Sequence, residues 1–168
     1  MRHTRPIIAL ARVAVVPVAV LALAGSGAGP AGAAAKPATV VVAKTDLGKV
    51  LVNSRGRTLY LFKKDTGTQS ECSGACAANW PPLRAKSAPL AGTGAKASLV
   101  GTTTRSDGTS QVTYKGHPVY LFSGDQKAGQ TNGEGLNAFG ARWFALSPSG
   151  KQVTSNAASS GSSGGLGY

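Results

Sequence analysis

The stretch LYLFKKD, Leu59 to Asp65, returns as VYLFSGD, Val119 to Asp125. The match runs upstream without a gap. Val52, Arg55, Gly56, Tyr60, Leu61, Phe62 and Asp65 recur as Val112, Lys115, Gly116, Tyr120, Leu121, Phe122 and Asp125, all at a period of 60. In an extended chain Tyr60 and Phe62 share one face, and Leu59 and Leu61 the other. Both faces are apolar, the pattern of an internal strand. Asp65 and Asp125 follow the strand end, where a carboxylate accepts backbone N–H groups and fixes a turn. The repeated phrase therefore reads as a core strand with its terminating turn, written once per half.

Working outward, VLVNSRGRTLYLF (Val50–Phe62) is two β-prone runs around a polar, Gly-containing turn, which is a hairpin signal. VTYKGHPVYLF (Val112–Phe122) is its copy. Gly116 is expected to supply a positive φ there, and Pro118 to set the entry to the next strand. Further strands are expected over Ala38–Val42, Ser98–Thr104 and Ala141–Leu146, with a short last one over Lys151–Thr154. Ser106-Asp107-Gly108 and Ser147-Pro148-Ser149-Gly150 read as turns. One helical segment is expected within Ser70–Trp80, stopped by Pro81-Pro82. WPPL (Trp80–Leu83) matches WFAL (Trp143–Leu146) once three residues are inserted. The chain is thus a tandem duplication of a unit of about 50–60 residues. Its expected fold is an all-β antiparallel sandwich or barrel-like domain of two hairpin repeats, pseudo-two-fold, with repeats over 45–97 and 98–154.

The ends are of another kind. Arg2, Arg5 and Arg12 precede the apolar run VAVVPVAVLALA, and small residues follow at Ala33 and Ala35. This is the layout of a secretory signal peptide over residues 1–35, cleaved after Ala35 or after Ala33. The apolar run is short for a membrane span, so no integral membrane segment is expected after processing. No Cys follows it to carry a lipid. Residues 155–168 are small and polar and are expected to be disordered. An exported or cell-wall-associated protein follows, with one domain over 36–154.

The whole chain carries 18 basic and six acidic residues. Without the three arginines of the leader, the net charge is still +9. Such a cation is drawn to anionic partners, above all wall polymers bearing phosphate or acidic sugars. The basic residues form no stripe interleaved with aromatics, which argues against specific nucleic-acid recognition.

Two copies of Tyr-x-Phe-x-x-Asp, CSGACAANWPPL after the first and GQTNGEGLNAFGARWFALSPSG after the second, resemble a family of secreted repeats. That family groups bacterial lipoproteins and exported proteins that carry a Y-x-(F/W/Y)-x-x-D motif. The resemblance covers about Thr45 to Val153. It makes Tyr60, Phe62, Asp65, Tyr120, Phe122 and Asp125 the motif residues, and it implies no established activity.

Chemistry has few places to sit. Cys72 and Cys76 lie one helical turn apart in an oxidising compartment, the setting of a disulfide. The sharper alternative is a soft-metal or thiol-redox site. Two thiolates favour Cu(I), and His117 is the one histidine left to complete a Cys2His set. The six acids form no local catalytic pair, and no nucleophile elbow is present, so an enzyme is not expected. The loop Asp125–Gly135 reads as a connector. Trp80 and Trp143 read as core, or alternatively as the lining of symmetry-related grooves for a glycan or peptide. The sequence therefore points to a cell-envelope binding or structural module for an anionic polymer. The alternative is an extracytoplasmic redox or copper protein using Cys72 and Cys76.

Overall fold

The computed structural model describes residues 36–154. The expected leader, 1–35, and the expected disordered tail, 155–168, lie outside the described residues. Nine strands follow in order: β1 (Thr39–Thr45), β2 (Gly48–Asn53), β3 (Tyr60–Phe62), β4 (Leu90–Ala91), β5 (Val100–Thr104), β6 (Ser110–Tyr114), β7 (His117–Pro118), β8 (Asn137–Ala138) and β9 (Ala141–Ala145). One short helix, α1 (Ala75–Asn79), lies inside the segment where a helix was expected. The strands form three sheets of three, ordered β2-β1-β4, β3-β9-β8 and β5-β6-β7. The domain is all-β, as expected. One pairing is parallel, β1 with β4. The expected last strand over Lys151–Thr154 is reduced to a single bridge, Leu146 with Gln152.

The hairpin β1–β2 stands to the first half as β5–β6 stands to the second. β1 opens the first of these hairpins at Thr39. The two halves meet along their repeated phrases. Tyr60 N–H donates to Tyr120 O (2.9 Å), and Tyr120 N–H donates to Tyr60 O (3.0 Å). A pseudo-two-fold axis passes through this bridge. Around it the ladders mirror each other: Tyr60 pairs with Ala145 of β9, and Tyr120 pairs with Pro82. Likewise Leu146 N–H donates to Leu59 O (3.1 Å), and Leu83 N–H to Val119 O (3.0 Å). The second copy is shorter because Pro81 and Pro82 have no N–H to donate.

The gapless alignment fails upstream of the turn. Leu59 N–H donates to Leu51 O, but Val119 N–H donates to Val112 O, so Leu51 corresponds to Val112 and not to Gln111. The first turn has three residues, Ser54-Arg55-Gly56, with Gly56 at φ +76° and Asn53 Oδ1 accepting from Arg55 and Arg57 N–H. The second has two, Lys115 (φ 51°) and Gly116 (φ 78°). Lys115 holds a left-handed conformation at a cost of about 1 kcal/mol. A one-residue slip moves every side chain of a strand to the other face. Val50 and Val52 face the aromatic core of the first half, and Gln111 and Thr113 occupy the equivalent positions of the second.

Two core clusters result. One holds Val50, Val52, Tyr60, Phe62, Cys72, Cys76, Trp80, Tyr120, Trp143 and Ala145. The other holds Val40, Leu51, Leu59, Leu61, Val112, Tyr114, Val119 and Leu146. β3 lies between them and sends alternate side chains to each, as its two apolar faces require.

Candidate functional site

The motif tyrosines and aspartates are exchanged between the halves. Tyr60 Oη donates to Asp125 Oδ2 (2.7 Å), and Tyr120 Oη donates to Asp65 Oδ2 (2.9 Å). The other oxygen of each carboxylate ties down the loop that follows it. Asp65 Oδ1 accepts Glu71 N–H (2.8 Å), and Asp125 Oδ1 accepts Asn132 N–H (2.9 Å). The expected turn-fixing role is present. What the sequence did not disclose is that each carboxylate also holds the tyrosine of the other half.

Burial raises both tyrosines well above the ordinary phenol value, with the hydrogen bond donated to Asp125 next for Tyr60 and the charge of Asp65 next for Tyr120. Asp65 is pushed up to about 6, first by burial, against the pull of Glu71 N–H and Tyr120 Oη. Its folded pKa thus lies above its unfolded value of 3.8. Its contribution to stability is complete below that unfolded value and is lost as pH rises through about 6. Acidifying from pH 7 to pH 5 should therefore raise the unfolding midpoint of the wild type more than that of Asp65→Asn. Parallel midpoint-versus-pH curves for the two proteins would refute this.

The motif phenylalanines and the two tryptophans build one stack across the axis. Phe62 stacks on Trp143 (4.0 Å between centroids), Trp143 on Trp80 (3.9 Å) and Trp80 on Phe122 (4.3 Å). Tyr60 meets Trp80 edge-on at 5.4 Å, and Tyr120 meets Trp143 edge-on at 5.2 Å. Trp80 is 1% exposed and Trp143 0%. Both tryptophans thus lie in the core, the first of the two readings, with their faces packed on each other and not on an open groove. Gly133 makes the fit possible. A Cβ there would meet Trp80 and Tyr60 atoms at 2.8–2.9 Å. In the sequence Gly133 was one of several glycines in a loop read as a connector.

Cys72 and Cys76 are joined as a disulfide, with Cα atoms 5.2 Å apart. Both are buried against the aromatic stack. The ring they close is small, worth about 2 kcal/mol by loop entropy. Both sulfurs are thereby committed, and among the described residues no three His, Cys, Asp or Glu are grouped to hold a metal ion. His117 sits half-buried in β7, and burial with the nearby Lys63 and Lys115 lowers its pKa. The Cys2His copper set is not assembled from this pair as it stands.

Sequence reasoning missed a buried polar group beside the disulfide. Arg105 is 6% exposed. Its guanidinium donates to Ser70 Oγ (2.7 Å), Gln111 Oε1 (2.6 Å) and Cys72 O. The Ser70 hydroxyl in turn is hydrogen-bonded to Tyr120 Oη (2.7 Å) and supplies the proton of that bond, since the tyrosine's own goes to Asp65. This network fills the space that the register slip left polar at Gln111. Nothing local marks Arg105, which precedes an ordinary Ser-Asp-Gly turn.

The surface is basic. All ten lysines of the described residues are exposed. Among the described residues, ion pairs join only Arg84 (3.3 Å) and Arg105 (3.9 Å) to Asp107. Three of the six acids are held by internal hydrogen bonds: Asp65 and Asp125 by tyrosines, and Glu134 Oε2 by Ala145 N–H (2.7 Å). Asp46, Glu71 and Asp107 remain exposed. Among the described residues no helix is long and apolar enough to cross a membrane.

A family model described as a secreted repeat of unknown function matches the chain twice, at residues 41–84 and 101–147. No curated protein and no solved structure matches it. The two matches cover just over half of the chain and fall on the two halves that the axis relates. The chain belongs to this family of secreted repeats, and its duplicated motif is the device that locks one repeat to the other.

Proposed function

We propose that the folded region is a rigid, non-catalytic module that adheres to an anionic polymer of the cell envelope. One observation carries this: the fold segregates charge. It draws three of the six acidic side chains into internal hydrogen bonds and leaves the lysines outside. The surface is therefore more cationic than composition alone implies, and such a surface concentrates polyanions. The disulfide and the locked motifs serve rigidity, because a preorganised surface loses less entropy on binding.

Retention on purified cell wall tests this. The protein should bind at about 0.01 M salt, where the Debye length is about 30 Å, and elute near 1 M, where it is about 3 Å. Passage through the wall at low salt without retention would reject the proposal. Retention that 1 M salt does not reverse would reject its electrostatic basis.

A further inference from the structure

The duplication keeps the tyrosines, phenylalanines, aspartates and tryptophans alike but treats the two hairpin turns differently. In the first half the turn is covered. Gly129 N–H donates to Gly56 O (3.0 Å), and Thr58 Oγ donates to Gln130 O (2.7 Å). A Cβ on Gly56 would lie 2.8 Å from Ala128 Cβ. Arg57 completes the closure, with its guanidinium donating to Phe122 O (2.6 Å).

In the second half the position of Arg57 is taken by His117, and among the described residues nothing lies within 4 Å of a Cβ built on Gly116, the counterpart of Gly56. The loop that would have to reach it runs from Asp65 to Trp80. It is three residues shorter than its counterpart from Asp125 to Trp143, and the disulfide ties it back. Among the described residues no hydrogen bond joins residues 66–76 to the turn at Lys115-Gly116. A recess of about 400 Å³ remains, with Leu61 and Phe62 in its lining and Lys63, Lys115, Lys151 and His117 around it.

Two local features place Lys115. Lys115 adopts φ 51° in a two-residue turn, where asparagine or glycine is at ease and lysine is strained. Gly150 lets the lysine stem lie close, since a Cβ there would meet Lys115 Cβ at 2.7 Å and Cδ at 2.9 Å. The one acid in the lining, Asp65, has both oxygens occupied by Glu71 N–H and Tyr120 Oη.

We propose that this recess is a phosphate-binding subsite, formed where the first half carries its own loop and the second half leaves space for a ligand. Three ammonium groups around one opening suit a multi-oxygen anion. Leu61 and Phe62 floor the recess as residues of β3, with their side chains buried in the two core clusters. The inference deepens the polymer-adhesion proposal and rests on it for biological meaning, though the subsite is measurable without it.

His117 is the one histidine among the described residues, so its imidazole resonances report on the recess alone. The processed protein would be titrated, at constant ionic strength and fixed pH, with inorganic phosphate and separately with soluble poly(glycerol phosphate). Saturable shifts of His117 are expected with both, at lower phosphate concentration for the polymer because its sites are multivalent. The variant Lys63→Ala, Lys115→Asn, Lys151→Ala should weaken both by about tenfold or more. Asparagine is chosen at 115 because it tolerates the left-handed turn.

Lys63→Ala, Lys151→Ala leaves that turn untouched and should show the same direction of loss. Lys36→Ala, Arg55→Ala, Lys86→Ala removes equal charge from a second basic recess of about 570 Å³ and should leave the His117 response intact. Linear, non-saturating shifts, or equal losses in the recess and control variants, would overturn the subsite. Salt-reversible wall retention would then still stand, and the adhesion proposal with it. Saturation by inorganic phosphate but not by the polymer would limit the subsite to small phosphates and overturn its role in polymer binding.

Discussion

Trp143→Ala is expected to cost about 3–5 kcal/mol, enough to leave a large share of the chain unfolded at ordinary temperature. The side chain is fully buried and touches both halves at once. It lies between Phe62 and Trp80, with Tyr120 against its edge. Each such aromatic pair adds about 0.5–1.5 kcal/mol beyond the area buried. Truncation removes three of them and opens a cavity whose walls belong to different repeats. The motif tyrosines hold those walls in place, so they have little freedom to collapse inward. Trp143→Phe keeps a ring in the stack and should cost clearly less. Urea unfolding followed by circular dichroism measures both. A loss below about 1 kcal/mol for the alanine variant would mean that the stack is not the keystone of the fold.

Asp125→Ala is expected to destabilise by about 2–4 kcal/mol, because it strands a buried tyrosine hydroxyl and the N–H of Asn132. The informative experiment is the double-mutant cycle. Tyr60→Phe with Asp125→Ala should show an interaction energy of about 1–3 kcal/mol, and so should Tyr120→Phe with Asp65→Ala. Tyr60→Phe with Asp65→Ala, which share one copy of the motif, should be additive within about 0.5 kcal/mol. The reverse pattern, coupling within copies and additivity across them, would contradict the exchange. The exchange also bears on adhesion. It spends two of the six acids inside the fold and so reduces the counter-charge available to the surface lysines.

Much of this protein was legible in the sequence because it is written in short-range terms. The alternation Leu-Tyr-Leu-Phe specifies a strand with two buried faces whatever its neighbours are. The Gly-containing turns specify hairpins. Cys72 and Cys76, four residues apart in an exported chain, can close on each other locally. The repeat itself follows from comparing the chain with itself.

Tertiary structure decided the rest, for one physical reason: the deciding contacts join residues that are distant along the chain. The tyrosine–aspartate bonds span 65 and 55 residues. A duplicated sequence is equally compatible with each half closing on itself or on its partner. Contacts across the axis, the Tyr60–Tyr120 backbone bridge and the packing of Trp80 on Trp143, select the second. The register slip depends on whether a turn closes with two residues or three, which turns on Lys115 accepting a left-handed conformation. The polar group around Arg105 exists because that slip turned Gln111 inward. The fate of the two turns, one covered and one open, depends on three extra residues in a loop from the opposite half.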